Sequence, residues 1–515
     1  MELLGARIKF NPRPARQITP ALEVAMLGHS PGAVRLERFF ALTDAVREIR
    51  ALGYGRRLDL LLQGDNDTIS REGMPSQLHH LPIPLRSWAE FDDIFPEASS
   101  APSQYKSLLA GERAWLGQAV QDFFSNGGEK CWVVLIPEAE GRQGFLPPLF
   151  SPLIDPEQLR GLACVLILND VGLLALPDLE RLQIAAKLPD IPRLRLANPQ
   201  PEFIPCGSSI NDDHRERRLS SELPFDTEPL PFLSMARTIL DLIAKHRPDL
   251  QCLLTLPLRY SQSLASPVID PLAITQLNDV VGSEGAHRLR QMQLLFPYLR
   301  SAELGLHSPT GVIAGAIAKS ALDNGVWRSI AGKPLASSAQ TFPPLTSQQI
   351  TALRESPGIG ALHWRPGKLQ LDDERLVVPA LHANDYNHTL SSEFSRGARA
   401  AEVVRFLGYL IRQLRALGER LIFNVDPADP RPRLLLEKFF TNLFEAGALR
   451  GNVPEQAFTI RESVAQENVI GFDIEIAPAF PIDKLVLTFV NRDGLWLVQS
   501  AKASGTTRPV GVALG

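Results

Sequence analysis

The sequence predicts a mixed α/β fold, because apolar runs typical of buried strands alternate along the chain with amphipathic helical segments. Two such runs, "KCWVVLI" (130–136) and "LACVLIL" (162–168), have the length and composition of buried strands. The segment "RAWLGQAVQDFF" (113–124) instead repeats its apolar residues at helical spacing and ends before Gly127 and Gly128. We therefore expect sheets flanked by helices.

Two polar stretches interrupt this alternation. Residues 187–232 are rich in Pro, Ser and charged residues, which predicts a surface excursion or a domain junction. Residues 332–349 are also polar and indicate a second boundary.

The last third of the chain is the most regular. Residues 398–418 predict a helix of about five turns, stopped by Gly418, and "RLIFNV" (420–425) predicts a strand. The Pro-rich turn at 426–433 suits the start of a helix, which we expect over 434–451.

The C-terminal residues predict an antiparallel hairpin. "GFDIEIAP" (471–478) alternates like a half-buried strand. "KLVLTFV" (484–490) and "GLWLVQS" (494–500) flank an Asn491-Arg492-Asp493-Gly494 turn, and an Asp-Gly turn between apolar runs is a good hairpin signal.

Composition limits the classes of partner. The chain has 515 residues, a net charge of -4 and a pI near 6.2, so it has no general attraction for nucleic acids or anionic membranes. The N-terminus lacks the layout of a signal peptide, and no apolar run approaches the ~20 residues that span a bilayer. We expect synthesis in the cytoplasm, no nucleic-acid partner and no direct membrane insertion.

One segment matches the sequence pattern of a hydrolase nucleophile elbow. In "GHSPG" (28–32) the pattern G-x-S-x-G follows an apolar run, which makes Ser30 a candidate nucleophile. The residue after the serine should supply an oxyanion N–H, but Pro31 has none. A turn that leaves a strand is the favoured interpretation, and the hydrolase stays as an alternative.

Candidate metal ligands are sparse. His382, Asp385 and His388 share one polar segment, but their spacing matches no helical ligand pair, and a solvated loop is favoured. The adjacent His79 and His80 point in different directions in any regular structure and are interpreted as structural. The sequence contains no phosphate-binding loop. We predict no catalytic residue, no cofactor site and no metal site.

Three C-terminal stretches carry a resemblance to one protein family. Residues 402–431 run from a helix through a strand to an Asp-Pro turn, 439–463 contain "GALRGNVPEQAF", and 468–490 contain two strands around "APAFP". Here the chain resembles the sheath proteins of contractile phage tails and of the related extracellular contractile injection systems.

Further blocks resemble the family in the same order. "RSWAEFDDIF" (86–95) precedes "WLGQAVQDFFSNGGEKCWVVLI" (115–136). "DVGLLALPDL" (170–179) and "SPTGVIAGAIAKSALDNGVWRSIAGKPL" (308–335) follow. The resemblance spans residues 86–490 with gaps.

The two ends of the chain depart from the family pattern. The first 80 residues align poorly, and two apolar runs, 21–27 and 58–62, compete for the place of the first core strand. The chain also continues past 490 with a hairpin return. These departures indicate a specialised or divergent sheath subunit as an alternative to the main one.

The resemblance implies a multi-domain tail-sheath fold with a C-terminal core domain of sheet flanked by helices, and with terminal arm strands. The expected segments are an N-terminal arm and divergent segment (1–85), the N-terminal part of the core (86–200), a middle domain with a polar junction (201–335), a C-terminal sheath domain (336–490) and a C-terminal arm (491–515).

The resemblance also implies a structural function. Subunits would stack as hexameric rings in a helical array around an inner tube, and contraction would drive the tube through a target envelope. The implied partners are further copies of the chain, the inner tube protein, and baseplate and terminator or cap proteins. The chain would reside in a tail or an extracellular particle and would need no cofactor.

Arm strands in this family add to a neighbour's sheet, and the tube contact comes from the C-terminal domain. The residues to which these roles are assigned here are Arg7, Ile8, Lys9 and Phe10 for the N-terminal arm, Leu495, Trp496, Leu497 and Val498 for the C-terminal arm, and Glu437, Lys438 and Glu445 for the tube contact. Two alternatives stay open, a sheath-like adaptor at an end ring or near the baseplate, and a serine hydrolase that uses Ser30.

Overall fold

The computed structural model describes residues 22–64, 73–147, 155–186, 230–259, 267–281, 289–303, 305–355, 357–377, 399–421, 430–463, 470–479, 485–492 and 495–501. The helices are α1 (Leu36–Ala41), α2 (Thr43–Ala51), α3 (Gly55–Gln63), α4 (Trp88–Ile94), α5 (Leu116–Ser125), α6 (Gly141–Phe145), α7 (Pro177–Arg181), α8 (Phe232–His246), α9 (Pro271–Val281), α10 (Thr310–Asn324), α11 (Ser347–Glu355), α12 (Ala401–Leu421), α13 (Arg431–Glu445) and α14 (Pro454–Ala457).

The strands fall in two groups along the chain. Those before the last third are β1 (Glu23–Gly28), β2 (Pro82–Leu85), β3 (Pro102–Ser107), β4 (Gly111–Arg113), β5 (Cys131–Leu135), β6 (Val171–Ala175), β7 (Gln251–Thr255), β8 (Leu258–Arg259), β9 (Val268–Ile269), β10 (Met292–Phe296), β11 (Tyr298–Ser301), β12 (Gly305–His307), β13 (Pro334–Leu335), β14 (Gln340–Phe342), β15 (Gly360–Arg365) and β16 (Lys368–Leu371). The last four are β17 (Phe458–Ser463), β18 (Ile470–Ile476), β19 (Leu485–Arg492) and β20 (Leu495–Ala501). The predicted mixed α/β class is confirmed.

The largest sheet has nine strands in the order β13-β16-β15-β10-β7-β6-β1-β5-β2. Its six inner strands, from β15 to β5, pair in parallel. At one border β2 pairs antiparallel with β5. At the other border β16 pairs antiparallel with β15, and β13 pairs antiparallel with the outer edge of β16. The expected domain boundaries at 85/86, 200/201 and 335/336 fall between strands of this one sheet, so strand pairing does not mark them and the domain division stays a prediction.

The core lies on both faces of this sheet. Val24 and Met26 of β1 belong to a core that α5, α10 and α12 cover, whereas Ala25 and Leu27 belong to a second core under α8 and α9. All four side chains are fully buried, as is usual for a parallel strand covered by helices on both sides.

The structure settles which N-terminal run forms the first core strand. Residues 23–28 form β1, between β5 and β6, and residues 58–62 lie in α3. In α3 the buried residues are Leu58 and Leu61, whose spacing of three is helical.

The predicted strand at 162–168 is wrong. Gly161–Ile167 is a buried 3-10 helix, and the strand of this region is β6. Gly161 has a φ of +52° and its N–H donates to His80 Nδ1, so the run begins in a tight turn. A short apolar run indicates burial but does not decide between helix and strand.

The other early predictions agree with the structure within a few residues. The helix predicted at 113–124 is α5, and the strand predicted at 130–136 is β5. The hairpin of 484–490 with 494–500 is β19–β20, paired from Arg492 with Leu495 to Val486 with Ala501.

Two predicted helix ends in the C-terminal third are wrong. Helix α12 does not stop at Gly418 but continues to Leu421, which is buried and extends the apolar face. Arg420 and Leu421 are therefore helical, and residues 422–425 of the predicted strand lie outside the described residues. Helix α13 ends at Glu445, before the predicted 451, and Gly447 follows with a φ of +76°.

The C-terminal sheet is antiparallel, in the order β17-β18-β19-β20. Phe472 and Ile474 of β18 and Phe489 of β19 are buried in the same core as Phe406 and Leu410 of α12. This sheet therefore shares a core with the α12 side of the large sheet.

Candidate functional site

The G-x-S-x-G segment is explained by packing. Ser30 is buried, with 3% of its surface exposed. A Cβ at Gly28 would lie 2.5 Å from Asp178 Oδ2, so this glycine makes room for the carboxylate. Gly32 has a φ of +99°, which favours glycine in the turn before α1. Together with the missing N–H of Pro31, this geometry offers no nucleophile elbow.

The histidine pair also has structural partners. His80 Nε2 lies 3.1 Å from Glu140 Oε2, and its Nδ1 accepts the N–H of Gly161 at 3.0 Å. Burial lowers the pKa of His80, so the neutral ring is favoured. His382, Asp385 and His388 lie outside the described residues. Within the described ranges no three His, Cys, Asp or Glu side chains form a group that could hold a metal ion.

The carboxylate of Asp178 joins three elements at the C-terminal end of β1. Its Oδ2 accepts the N–H groups of His29 at 2.9 Å and Leu116 at 3.0 Å. Its Oδ1 accepts the N–H of Trp115 at 2.8 Å. Because these amides open α5, the negative charge also lies at the positive end of the helix dipole.

Arg181 extends this cluster to β3, a strand of the separate β3–β4 sheet. Its Nε donates to Asp178 Oδ1 at 2.9 Å, its Nη1 to the carbonyl of Tyr105 at 3.0 Å, and its Nη2 to Ser103 Oγ at 2.7 Å. Ser103 Oγ in turn donates to Glu138. All of these side chains are buried, so the cluster braces the strand ends and offers no open site.

Sequence reasoning missed this brace. The available signal was "PDLER", in which Asp178 and Arg181 have a spacing of three on a segment that starts with proline. Only the fold shows that Asp178 reaches the start of α5, because the two are 62 residues apart along the chain.

A second polar seam joins α12 to the large sheet. Arg405 Nη1 lies 2.8 Å from Glu374 Oε1, and Glu374 Oε2 also accepts the N–H of Ile330 at 2.9 Å. Further along the helix Arg412 and Arg415 contact Asp249, which precedes β7. Sequence analysis did not single out any of these residues.

The predicted tube-contact residues lie on α13. Lys438 and Glu445 are exposed, whereas Glu437 is half-buried and its Oε1 accepts from Arg433 Nε at 3.0 Å. Leu434 is 58% exposed and Leu435 is 37% exposed, so the helix also presents apolar surface that the prediction missed.

The predicted C-terminal arm strand pairs within the chain. Leu495, Trp496, Leu497 and Val498 lie on β20, in register with β19. β20 is the last strand of its sheet, so among the described strands none pairs with its other edge. Arg7, Ile8, Lys9 and Phe10 lie outside the described residues.

One border of the large sheet is closed to further strands. β2 carries Pro82 and Pro84, which have no N–H to offer, and all four of its residues are buried.

None of the helices within the described ranges is long and apolar enough to cross a membrane.

Comparison with known proteins gives similarity at the level of structure. No protein-family model matches the sequence, and no curated protein is significantly similar to it. A chain in the cryo-EM structure of the anti-feeding prophage baseplate, 6-fold symmetrised, is 14% identical with a TM-score of 0.51, over 94% of this chain and 97% of that one. This likeness shows a shared fold along almost the whole of both chains, in agreement with the fold expected from the sequence.

Two further structures are similar. The helical sheath of the anti-feeding prophage in the contracted state is 14% identical with a TM-score of 0.49, over 93% of this chain and 97% of that one. The contracted PVC sheath complex of an extracellular contractile injection system is 12% identical with a TM-score of 0.49, over 93% and 95% of the two chains.

Proposed function

We propose that this chain is a structural sheath subunit of a contractile tail or contractile injection system. Copies would stack as hexameric rings around an inner tube, and contraction would drive the tube through a target envelope. The observation that carries the proposal is the shared fold, over 94% of the chain, with a chain of the anti-feeding prophage baseplate, 6-fold symmetrised. The ordered sequence blocks that resemble tail sheath proteins support the same function.

These blocks fall on elements that contact one another. The block at 115–136 covers α5 and β5, and the block at 170–179 covers β6 and the start of α7, where Asp178 binds the first amides of α5. The block at 308–335 contains α10, which packs against α5 at the distance of backbone contact. The resemblance therefore follows one packed framework, which favours a shared architecture over a chance likeness of short motifs.

A structural function accounts for the chemistry of the described residues. The buried charges of Asp178 and of Glu374 are paired within the chain, with Arg181 and Arg405. In a contracting assembly the free energy resides in contacts between subunits, so a subunit needs no catalytic or nucleotide site.

The C-terminal sheet is the proposed place of strand addition. The outer edge of β20 offers main-chain groups, whereas Pro82 and Pro84 block the β2 border of the large sheet. A neighbour's N-terminal strand, with residues 7–10 as the candidate, would add to this edge. In this arrangement Leu495 to Val498 form the receiving strand, and exchange of β20 itself with a neighbour is the alternative.

Helix α13 is the proposed surface for the inner tube. Lys438 and Glu445 offer charged side chains, and Leu434 adds exposed apolar area. The carboxylate of Glu437 accepts a hydrogen bond from Arg433. Because the sheath must slide or detach during contraction, a small mixed surface suits this contact better than a large apolar one. Baseplate and terminator or cap proteins would contact the end rings of the same stack.

Antibody labelling of particles from the native host tests the proposal. We expect negative-stain images to show label along the whole length of sheathed tubes. Label that is absent from such tubes, together with a normal sheath after deletion of the gene, would contradict it.

The second candidate is an adaptor ring near the baseplate. It is favoured by one observation, that a similar chain, with a TM-score of 0.51, comes from a baseplate structure. Labelling confined to one end of the particle would support the adaptor over the main sheath.

A Ser30→Ala variant should assemble normally, because the hydrolase alternative has no geometric support at Ser30.

A further inference from the structure

A cluster of three arginines around a single carboxylate lies where α12 crosses the N-terminal ends of β6 and β7. Arg247 Nη2 is 2.8 Å from Asp249 Oδ2, and Arg415 Nη2 is 3.2 Å from Asp249 Oδ1. Arg412 Nη1 donates to the main-chain carbonyl of Asp249 at 2.8 Å and lies 3.6 Å from its Oδ2. Arg247, Asp249 and Arg412 are 2%, 3% and 6% exposed, so the cluster is almost fully removed from water.

The hydrogen bonds of the three guanidinium groups are not equally satisfied. Arg247 also donates to the carbonyls of Val165 at 3.1 Å and Leu168 at 2.8 Å, so it is fully engaged. Arg412 Nη2 is buried and has no hydrogen-bond partner among the described residues. This atom lies over the main chain of Gly172, where a Cβ would come within 2.4 Å of it.

The charges of the cluster do not balance. Asp249 is the carboxylate that forms ion pairs with all three arginines, which leaves two positive charges in excess within the described part of the chain. Burial lowers the pKa of Arg412 to about 10, a net value to which Asp249 contributes an opposing rise and Arg247 and Arg415 a further lowering. Burying unmatched like charges is costly unless an anion compensates them.

The other end of α12 provides a contrast. There Arg405 is matched by Glu374, with Glu402 beside them, and burial together with Glu374 raises the pKa of Glu402 to about 7. The excess of positive charge is thus a local property of the Asp249 end and not of the helix as a whole.

We propose that this cluster is a binding site for a small oxyanion of the phosphate class, which would sit between Arg412 and Arg415. Guanidinium groups present paired N–H donors that match the oxygens of such an anion. Arg415 opens the cluster to solvent, since its side chain is 14% exposed, and Arg412 Nη2 supplies the donor that lacks a partner. The bound anion would fasten α12, and with it the C-terminal sheet, to the large sheet.

Thermal unfolding of the full chain with inorganic phosphate tests this site. At equal ionic strength we expect 10 mM phosphate to raise the unfolding temperature by about 2 °C over sodium chloride, because a ligand that binds only the folded state stabilises it. In Arg412→Met this response should vanish, and the variant without phosphate should be at least as stable as the wild type. The control Arg433→Gln, on the exposed face of α13, should keep the response.

Three outcomes would overturn the proposal. They are no response in the wild type, an equal response in Arg412→Met, and a stability that rises with protein concentration but not with phosphate. The last result would identify a carboxylate from a neighbouring copy as the occupant.

If Arg412→Met does not fold, Arg415→Gln provides a second test, because it keeps the pair of Arg247 with Asp249. Phosphate titrated into this variant in a calorimeter should bind at least tenfold more weakly than to the wild type. An unchanged affinity would overturn the site.

Discussion

At the scale of single residues, the positions that stand out are buried charges that hold elements together. Asp178 binds the amides of Trp115, Leu116 and His29, and Arg181 shares its carboxylate. Gly28, which suggested a nucleophile elbow from the sequence, serves to admit this carboxylate. Residue types alone could not reveal this, because the partners are brought together by the fold.

Removal of the Asp178 carboxylate should be strongly destabilising. In Asp178→Ala the guanidinium of Arg181 and three amides lose a buried acceptor, so we expect a loss of about 3–5 kcal/mol in the free energy of unfolding. Urea denaturation measures this loss. Asp44→Ala, which removes an exposed pair with Arg47, is the control and should cost less than about 1 kcal/mol. Equal effects of the two substitutions would contradict the brace.

Glu180 should make stability fall as pH rises. Burial raises the pKa of its carboxyl from 4.5 to about 8, and the N–H of Thr255 donates to it at 3.0 Å. Between these two pH values the unfolded chain releases the proton while the folded chain keeps it, so stability is lost on going from pH 4.5 to 8.

Glu180→Gln carries no titrating proton and isolates this effect. Its stability relative to the wild type should increase with pH by up to about 1.4 kcal/mol per pH unit within that window. Urea denaturation at pH 5, 6, 7 and 8 measures the difference between the two proteins. A difference that does not change with pH would refute the assignment.

At the scale of elements, α5 and α10 pack at the distance of backbone contact. A Cβ at Gly311 would lie 2.3 Å from the carbonyl oxygen of Ala119, and one at Gly315 would lie 2.3 Å from that of Phe123. Main-chain atoms cannot move aside as a flexible side chain can, so these two glycines set the distance between the helices.

Gly311→Ala should therefore destabilise the chain although alanine favours helices. We expect a loss of about 1–3 kcal/mol from overpacking, measured by urea denaturation. The matched control is Gly55→Ala in α3, where the nearest atom is 3.8 Å away on the side chain of Arg50. The control should be neutral or slightly stabilising, and a neutral result for Gly311→Ala would show that the helices can separate.

The β19–β20 hairpin should persist in the assembled protein. The register pairs Asn491 with Trp496, next to the pair of Arg492 with Leu495. We expect Asn491→Cys combined with Trp496→Cys to form a disulfide within one chain, which migrates as a monomer on a non-reducing gel of assembled particles. Disulfide-linked multimers, absent from each single-cysteine variant, would instead show that β20 is exchanged between subunits.

The sequence predicted most elements correctly where a periodic pattern coincided with a turn signal, as in α5 and the β19–β20 hairpin. It failed at Gly161–Ile167, because an apolar run signals burial and not backbone conformation. It failed again at Gly418, because a glycine does not end a helix whose apolar face continues to Leu421.

At the scale of the whole molecule, one nine-stranded sheet draws strands from most of the chain, and the C-terminal sheet shares its core through α12. The fold class and the resemblance could be predicted from the sequence, because the sequence blocks that resemble the family lie, in the family's order, on elements that pack together, such as α5, β6 and α10. The polar seams were not, because Asp249 and Arg412 are 163 residues apart and meet only in the folded chain.

We propose that this chain forms the sheath of a contractile particle. Cryo-EM of the native particle tests it most directly. We predict rings of six copies stacked along the tube, with α13 facing the tube wall and a strand of a neighbouring copy on the outer edge of β20. A reconstruction of the sheath whose density is built from another protein, with this chain absent from it, would contradict the claim.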